Sequence, residues 1–365
     1  MDFVLTELCD QVLTARAGHK PLFVTGGRSK SFYGNHRALT PQDGHCLLDM
    51  TAYRGIVNYQ PSELVVTVRA GTPLAELETE LAANGQMLGF EPPHFGPTAT
   101  VGGCVAAGLS GPRRATAGAV RDFVLGTRLL DCHGRMLAFG GEVMKNVAGY
   151  DVSRLLAGSL GIFGAILEVS LKVLPRPLEE LTLLLEATQA EALQAYARWR
   201  VQPMPISATC WVPGEGPSGR LAVRLSGAPA AIASARAQIG GEALDDAEAW
   251  WRSLREQTHT FFDPAQPLWR VAVPPTTATF GPGPMLLEWG GGQRWYSGQT
   301  DAQALREQAA RAGGHATLFR TADGAAPADG VFHPLAPGVA ALTRRLKQEL
   351  DPAGLFNPGR LHLEL

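Results

Sequence analysis

The chain has 365 residues, of which 45% are hydrophobic and 18% charged, and a net charge of −2. That length predicts two or three domains, and the lack of any long basic run argues against nucleic acid as a partner. Five cysteines, Cys9, Cys46, Cys104, Cys132 and Cys210, form no C-x-x-C pair and no zinc or iron–sulfur spacing, so buried, reduced thiols and no metal site are expected.

The first residues carry acids early and hold no apolar run of signal-peptide or membrane-span length. A cytoplasmic protein is expected, with peripheral docking on the inner face of the cell membrane open to it through a complex. Phe3 to Arg16 reads as an amphipathic helix, with Val4, Leu5, Leu8, Val12 and Leu13 along one side. "PLFVTGG" is a short buried strand running into glycine, and "CLLDM" and "ELVVTVRAG" are further strands. Thr72 is expected to cap a helix that has Pro73 at its first position, Leu74, Leu77 and Leu81 facing inward, and Asn84-Gly85 as its stop.

"PTATVGGCVAAG" follows, with only small residues over most of its length. "DFVLGTRLLDCHGRMLAFGG" reads as a hairpin turning at His133-Gly134. In "AILEVSLKV" apolar residues alternate with Glu168, Ser170 and Lys172, which predicts a half-buried strand. "PRPLEE", residues 175–180, is the best linker candidate. Beyond it the order strand–helix–strand–strand–helix predicts an α+β plait. A helix over about Leu335–Leu350 leads into the tail "DPAGLFNPGRLHLEL".

Three glycine-rich segments carry the chemistry. In "VTGGRSKSFYG", Gly26 and Gly27 are expected to adopt positive φ and aim successive backbone N–H groups at one anion. Ser29 and Ser31 add hydroxyls, and Arg28 and Lys30 add charge. No G-K-[ST] closes this loop and no G-x-G-x-x-G is present, so it is neither a P-loop nor a Rossmann fingerprint. In "GPTATVGGCVAAG", bare backbone and the hydroxyls of Thr98 and Thr100 suit close approach by a bulky ligand. The third, "GYDVSRLLAGSLGIFGAI", follows the polar residues Lys145, Asn146, Tyr150 and Asp151, and spaces Gly158, Gly161 and Gly164 closely. Three such loops in one half of the chain favour a long ligand held through backbone N–H groups, and a dinucleotide meets that description.

In this order the segments resemble the FAD-binding domains of the vanillyl-alcohol oxidase, or p-cresol methylhydroxylase, type. The tail "LDPAGLFNPGR" resembles the usual ending of FAD-linked oxidases of that family. In the second half, "LWR", "EWGGGQRW", "GGHATLFR" and "FHPL" look like the FAD-binding subunits of glycolate oxidase, also called glycolate dehydrogenase. The resemblance implies an α+β fold: a two-subdomain FAD-binding fold over 1–177, a ferredoxin-like α+β cap over 178–334, and a helix and tail over 335–365 returning to the FAD domain. It implies FAD held by Gly26, Gly27, Arg28, Ser29 and Lys30 in a first pyrophosphate loop and by Pro97, Thr98, Thr100, Gly102 and Gly103 in a second. Gly158, Ser159, Gly161 and Ile162 would line the adenine-side wall. Covalent members use a histidine in the first loop. Here Lys30 and Ser31 follow Arg28-Ser29, so FAD is expected to be non-covalent.

The resemblance further implies a complex with a homologous flavoprotein subunit and an iron–sulfur subunit, a small 2-hydroxy acid as substrate, and electrons leaving toward the respiratory chain. Relatives that oxidise 2-hydroxy acids carry "GHxGDGNxH", whereas "GGHATLFR" keeps Gly314-His315 and then has Ala316, Thr317 and Leu318. Such oxidation needs a base and a cationic clamp. His315 and His333 are the weak candidates for the first, Arg270 and Arg294 for the second. Three readings stand side by side: an FAD-binding subunit of a glycolate-oxidising complex, a self-sufficient FAD oxidoreductase for another 2-hydroxy acid such as D-lactate, and a scaffold subunit that has lost its flavin.

Overall fold

A computed structural model describes residues 3–35, 46–141, 151–324 and 326–365. Lys145, Asn146 and Tyr150 of the third segment lie outside the described residues.

The first half begins with α1 (Phe3–Ala17), β1 (Leu22–Thr25), β2 (Cys46–Asp49), β3 (Ile56–Gln60), β4 (Val65–Arg69) and α2 (Leu74–Ala83). It continues through β5 (Gln86–Met87), α3 (Val101–Ala107), α4 (Arg114–Ala117), α5 (Val120–Phe123), β6 (Val124–Leu130), β7 (Met136–Gly140), α6 (Val152–Leu156), β8 (Ala165–Lys172) and β9 (Leu174–Pro175). β1 and β2 pair in parallel, and an antiparallel sheet of five runs β3-β4-β8-β6-β7. The β6–β7 hairpin turns at Gly134, as the sequence suggests.

β8 lies at the centre of that sheet and is buried on both faces, not on one. Val169 and Leu171 pack with α2 and α3, while Ala165 and Leu167 pack with Leu8 and Val12 of α1 and with Leu22 of β1. Its polar residues Glu168 and Ser170 are buried with partners, while Lys172 at its end is half-buried. Glu168 accepts from the Tyr53 hydroxyl at 2.9 Å and pairs with Arg128, and Ser170 shares a 2.8 Å hydrogen bond with Thr67. The alternation therefore reflects partnered polar groups within two layers, not a wet face. Thr72 is likewise not a cap. Its hydroxyl donates to Arg69 O at 2.7 Å and accepts from Gly55 N, and α2 starts after Pro73 without a side-chain cap.

The second half contains β10 (Glu179–Thr188), α7 (Gln189–Arg200), β11 (Ile206–Pro213), β12 (Ser218–Gly227), α8 (Pro229–Ile239), β13 (Glu242–Ala243) and α9 (Ala247–Arg255). After these come β14 (Leu268–Ala272), β15 (Leu286–Glu288), β16 (Gln293–Ser297), α10 (Ala302–Arg311), β17 (His315–Arg320) and α11 (Pro337–Leu350). Its strands form one antiparallel sheet in the order β13-β10-β12-β11-β15-β16-β14-β17. The first four follow the order of a βαββαβ plait, and the last four repeat it in reverse, fused where Cys210 of β11 faces Glu288 of β15. One plait was legible in the sequence; the sheet adds a second set of four strands in the same order, with no helix between β14 and β15.

Side-chain alternation gives the sheet two distinct faces. Trp211, Leu221, Val223, Trp269 and Val271 pack under α7, α8 and α10. Ala208, Cys210, Ala222, Leu286 and Trp295 face the first half and pack with Tyr33, Ala107, Leu109 and Leu160. Trp251, Trp269 and Trp295 are buried, so intramolecular packing accounts for them without a partner; Trp250 and Trp289 are half-buried.

The tail returns to the first half through a buried ion pair. Lys347 Nζ on α11 donates to Asp351 Oδ2 at 2.6 Å, to Ile162 O and to Phe356 O, and Asp351 Oδ2 also accepts from Phe356 N. Phe356 then bridges Leu22 of β1 in parallel. Among the described residues no helix is long and apolar enough to cross a membrane. All five cysteines are free, with Cys104, Cys132 and Cys210 buried and Cys9 and Cys46 partly exposed.

Candidate functional site

Two clefts hold most of the candidate residues. The first lies in the first half, where the β1 exit, α3, the Leu160–Gly164 turn and the tail meet. Of the loop residues singled out in the sequence, Gly26, Gly27, Arg28, Ser29, Lys30, Thr100, Gly102, Gly103 and Gly161 line it. Pro97 and Thr98 do not line it but brace it from behind, since the Thr98 hydroxyl donates to Gly27 O at 2.5 Å. Gly158, Ser159 and Ile162 also lie off the lining. Ser159 is buried and bonds Leu156 O, and Ile162 is fully buried with its carbonyl on Lys347.

The local geometry corrects one expectation. Gly26 and Gly27 are not in the left-handed region; Arg28 takes it instead, at φ 57°. Glycine is required here by close approach, because a Cβ on Gly27 would stand 1.4 Å from Thr98 O. Among the described residues no backbone N–H from Gly26 to Lys30 finds an acceptor, so this turn, which lines the cleft, holds a run of free donors. The Thr25 hydroxyl beside it is buried without a partner.

Lys30 is held by His94 O at 3.1 Å, and burial lowers its pKa. His94 is a braced loop residue: its ring meets Glu78 at 3.0 Å and its backbone N–H donates to Glu256. At the opposite wall Gly161, at φ 73°, lies against Asn357. The sequence did not point to Asn357 or Arg360, yet both line this cleft. Asn357 Oδ1 accepts from Val24 N at 2.8 Å and Nδ2 donates to Leu160 O at 2.6 Å, tying β1 to the glycine turn. Arg360 donates to Ser31 O and Tyr33 O; burial lowers its pKa to about 10, so it stays cationic at neutral pH. Their signal was the tail motif, whose role depends on a fold-back no local pattern reveals.

The second cleft lies between the Gly108–Arg121 segment and the sheet of the second half. It is lined by Arg114, Arg121, Arg200, Arg270 and His315 and, among the described residues, by no Asp or Glu. Arg270 stands at its floor with its guanidinium 5.9 Å over the Tyr33 ring and Nη2 3.5 Å from the Tyr33 hydroxyl. Arg114 stacks on Trp289 at 4.4 Å. His315 is exposed at the rim. Desolvation, then Arg270, His333 and Arg114, lower its pKa, which keeps it neutral at physiological pH. His333 lies behind it at 6.4 Å between ring centroids, accepting from Ala316 N.

Arg294 does not belong to either cleft. It is wholly buried, donates to the carbonyls of Gly291, Ala278 and Thr277, and burial lowers its pKa to about 10. A guanidinium with its donors committed in this way clamps a loop, not a substrate. Among the described residues, no group of three or more His, Cys, Asp and Glu is placed to hold a metal ion.

Residues 5–140 match the FAD binding domain family. Over 98% of its length the chain is 46% identical to the glycolate oxidase subunit GlcE of Escherichia coli strain K12, covering 97% of that protein. A further relative is the glycolate oxidase subunit GlcD of Bacillus subtilis strain 168, 27% identical over 49% of this chain and 37% of that one. Among solved structures, an alkyldihydroxyacetonephosphate synthase superposes with a TM-score of 0.66 at 16% identity, over 97% of this chain and 74% of that one. The FAD-binding domain and the full-length relative thus define a protein of an FAD-binding oxidoreductase family, with an α+β fold. Within that class the chain belongs to the glycolate oxidase subunit GlcE family.

FAD is the cofactor, and the first cleft suits it. Its free N–H groups match a pyrophosphate, the close-packed glycines leave no room for side chains between backbone and ligand, and Phe23, Val24, Met50, Leu160 and Ile166 supply apolar walls.

Proposed function

We propose that the chain is the FAD-carrying subunit of a multi-subunit glycolate dehydrogenase. In this reading the enzyme oxidises glycolate to glyoxylate and passes the electrons through partner subunits to the respiratory chain. The observation that carries it is 46% identity along almost the whole chain to a glycolate oxidase subunit, in a chain with the donor-lined cleft intact. Bound FAD supplies the acceptor for the hydride of the substrate carbon.

The chain's own residues divide the remaining tasks. N–H groups from Gly26 to Ser29, with Lys30 and Arg360 nearby, hold the diphosphate. Thr100, Gly102, Gly103 and Gly161 give the cofactor bare walls, and Thr98, Gly158, Ser159 and Ile162 support those walls from outside. Arg270 and Arg114 draw the substrate carboxylate into a cleft whose own lining, among the described residues, has no Asp or Glu, and the neutral His315 stands at its rim. The five cysteines have no cluster spacing, which favours onward electron transfer by a partner; a homologous flavoprotein and an iron–sulfur subunit are the expected ones. Residues 1–177, 178–334 and 335–365 serve as FAD domain, cap and returning tail. Docking on the inner face of the cell membrane would come through the complex.

Purifying the chain and recording its visible spectrum before and after anaerobic glycolate tests this. A flavin spectrum that bleaches only once the partner subunits are added supports the reading. Bleaching of the lone chain sinks its dependence on partners and favours the self-sufficient enzyme. A colourless chain that cannot take up FAD points to a scaffold.

A further inference from the structure

We propose that Glu288 accepts the hydroxyl hydrogen bond of a small 2-hydroxy carboxylate, in a site whose cation is Arg270; this rests on the glycolate reading above.

Sheet register brings the groups together. Arg270 of β14 stands opposite Trp295 of β16, and Glu288 of β15 stands opposite Gln293 of β16. The pleat therefore puts all four on the face that meets the first half. Glu288 is 5% exposed. Its Oε2 accepts from Trp295 Nε1 at 2.6 Å and Gln293 Nε2 at 2.9 Å, whereas Oε1 has no hydrogen bond among the described residues. Glu288, Arg270 and Gln293 line a cavity of about 30 Å³ beneath Ser110 and Gly111. This is room for one or two waters. Ser110, Arg270 and Gln293 also line the basic cleft, so the cavity is a side chamber of the place where an anion would collect.

A buried carboxylate with one oxygen doubly bonded and the other facing a cavity is an incomplete acceptor. An alcohol hydroxyl is the neutral donor that completes it, and a guanidinium on the same face takes the attached carboxylate. The chamber has room only for the ligand's hydroxyl end, so the carboxylate would stay at Arg270, which lines both the chamber and the basic cleft. Other charged or titratable groups around Glu288 are Glu91 and Arg255, with Tyr196 of α7 and Cys210 of β11. Burial, against the two hydrogen bonds, raises the Glu288 carboxyl to about 6, so the accepting, ionised form prevails at neutral pH.

The test is calorimetric binding of glycolate and of acetate to the FAD-loaded full chain, under anaerobic conditions with the flavin reduced beforehand so that no turnover follows. Wild type is expected to favour glycolate about tenfold, the worth of one hydrogen bond to a charged group. Arg270→Gln should weaken both acids together. Glu288→Gln should weaken glycolate alone and bring the ratio close to one, with FAD content unchanged. A preserved preference in Glu288→Gln, or acetate and glycolate unaffected by Arg270→Gln, overturns the site. Should Glu288→Gln fold poorly, Trp295→Phe removes one hydrogen bond from the ionised carboxylate and must move the pH midpoint of glycolate binding upward. An unmoved midpoint overturns the assignment equally. The glycolate reading fails separately, if this binding pattern is found but glycolate never reduces the flavin with or without partners.

Discussion

The two clefts are built on opposite principles. The first cleft is made of backbone: free N–H groups after β1, glycines pressed against carbonyls, and short side chains on α3. The cleft on the sheet face is made of side chains, with Arg114, Arg270 and His315 carried by a segment and two strands distant in sequence. Backbone recognition suits a large cofactor that stays in place. Side-chain recognition suits a small anion that must be told from its relatives by one hydroxyl. A third group of charges is balanced: Glu91 and Glu180 bind Arg113 and Arg224, and although burial opposes it, those arginines hold the Glu91 carboxyl below the ordinary range. The second cleft, by contrast, is lined by Arg114, Arg121, Arg200 and Arg270 and, among the described residues, by no Asp or Glu.

The tail is the largest lever on the first cleft. Lys347→Met leaves Asp351 buried without its cation, and we expect a loss of about 3–5 kcal/mol in thermal or denaturant unfolding together with loss of FAD. Gly27→Ala forces a Cβ into the Thr98 carbonyl and should cost about 3 kcal/mol and abolish the flavin spectrum of the purified chain. If it retains FAD at wild-type occupancy, the loop is not the diphosphate site. Asn357→Ala leaves Val24 N and Leu160 O without partners and should cost about 2 kcal/mol, with weakened but measurable FAD binding in a titration.

The second cleft should respond with the opposite sign. The Glu288 carboxyl is raised from 4.5 to about 6, so the folded state binds its proton more tightly than the unfolded one. That stabilising contribution is full below the unfolded pKa and is lost as pH rises through about 6. At neutral pH the buried charge therefore costs about 1–2 kcal/mol relative to acid. Glu288→Gln should be the more stable protein by roughly that amount at about pH 8, with the gap closing near about pH 5. Melting curves at the two pH values check it, and a mutant less stable at the higher pH contradicts a buried, costly carboxylate.

How legible each cleft was follows from its construction. Glycine runs with a strand before them and a helix after are local, so "VTGGRSKSFYG" and "PTATVGGCVAAG" could be singled out and do line one cleft, although Gly26 and Gly27 serve close packing, not positive φ. Ser159 and Ile162 were one turn too deep, because sequence shows that a turn exists but not which of its sides meets the cavity. Arg294 and Arg270 look alike in "QRW" and "LWR". Only the strand pleat separates the guanidinium that ties down a loop from the one that faces the cleft. Glu288 gave no signal at all: it is one acid in "LLEWGG", and its meaning comes from Trp295 and Gln293 across the strand pair.

By itself the sequence determined the local grammar of this protein: α1, the β6–β7 hairpin, the glycine loops, the first plait and α11, each set by periodicity or turn chemistry within a few residues of itself. The tertiary structure decided what lies far apart in the chain. It placed Asn357 and Arg360 beside Val24 and Ser31, fused two sets of four strands into one sheet at Cys210 and Glu288, and buried β8 on both faces. The physical reason is that hydrogen bonding and rotamer preference act between neighbours. Which side chains share a cavity is settled by strand register and by the fold-back of the tail, to which local sequence contributes only through the whole packed core.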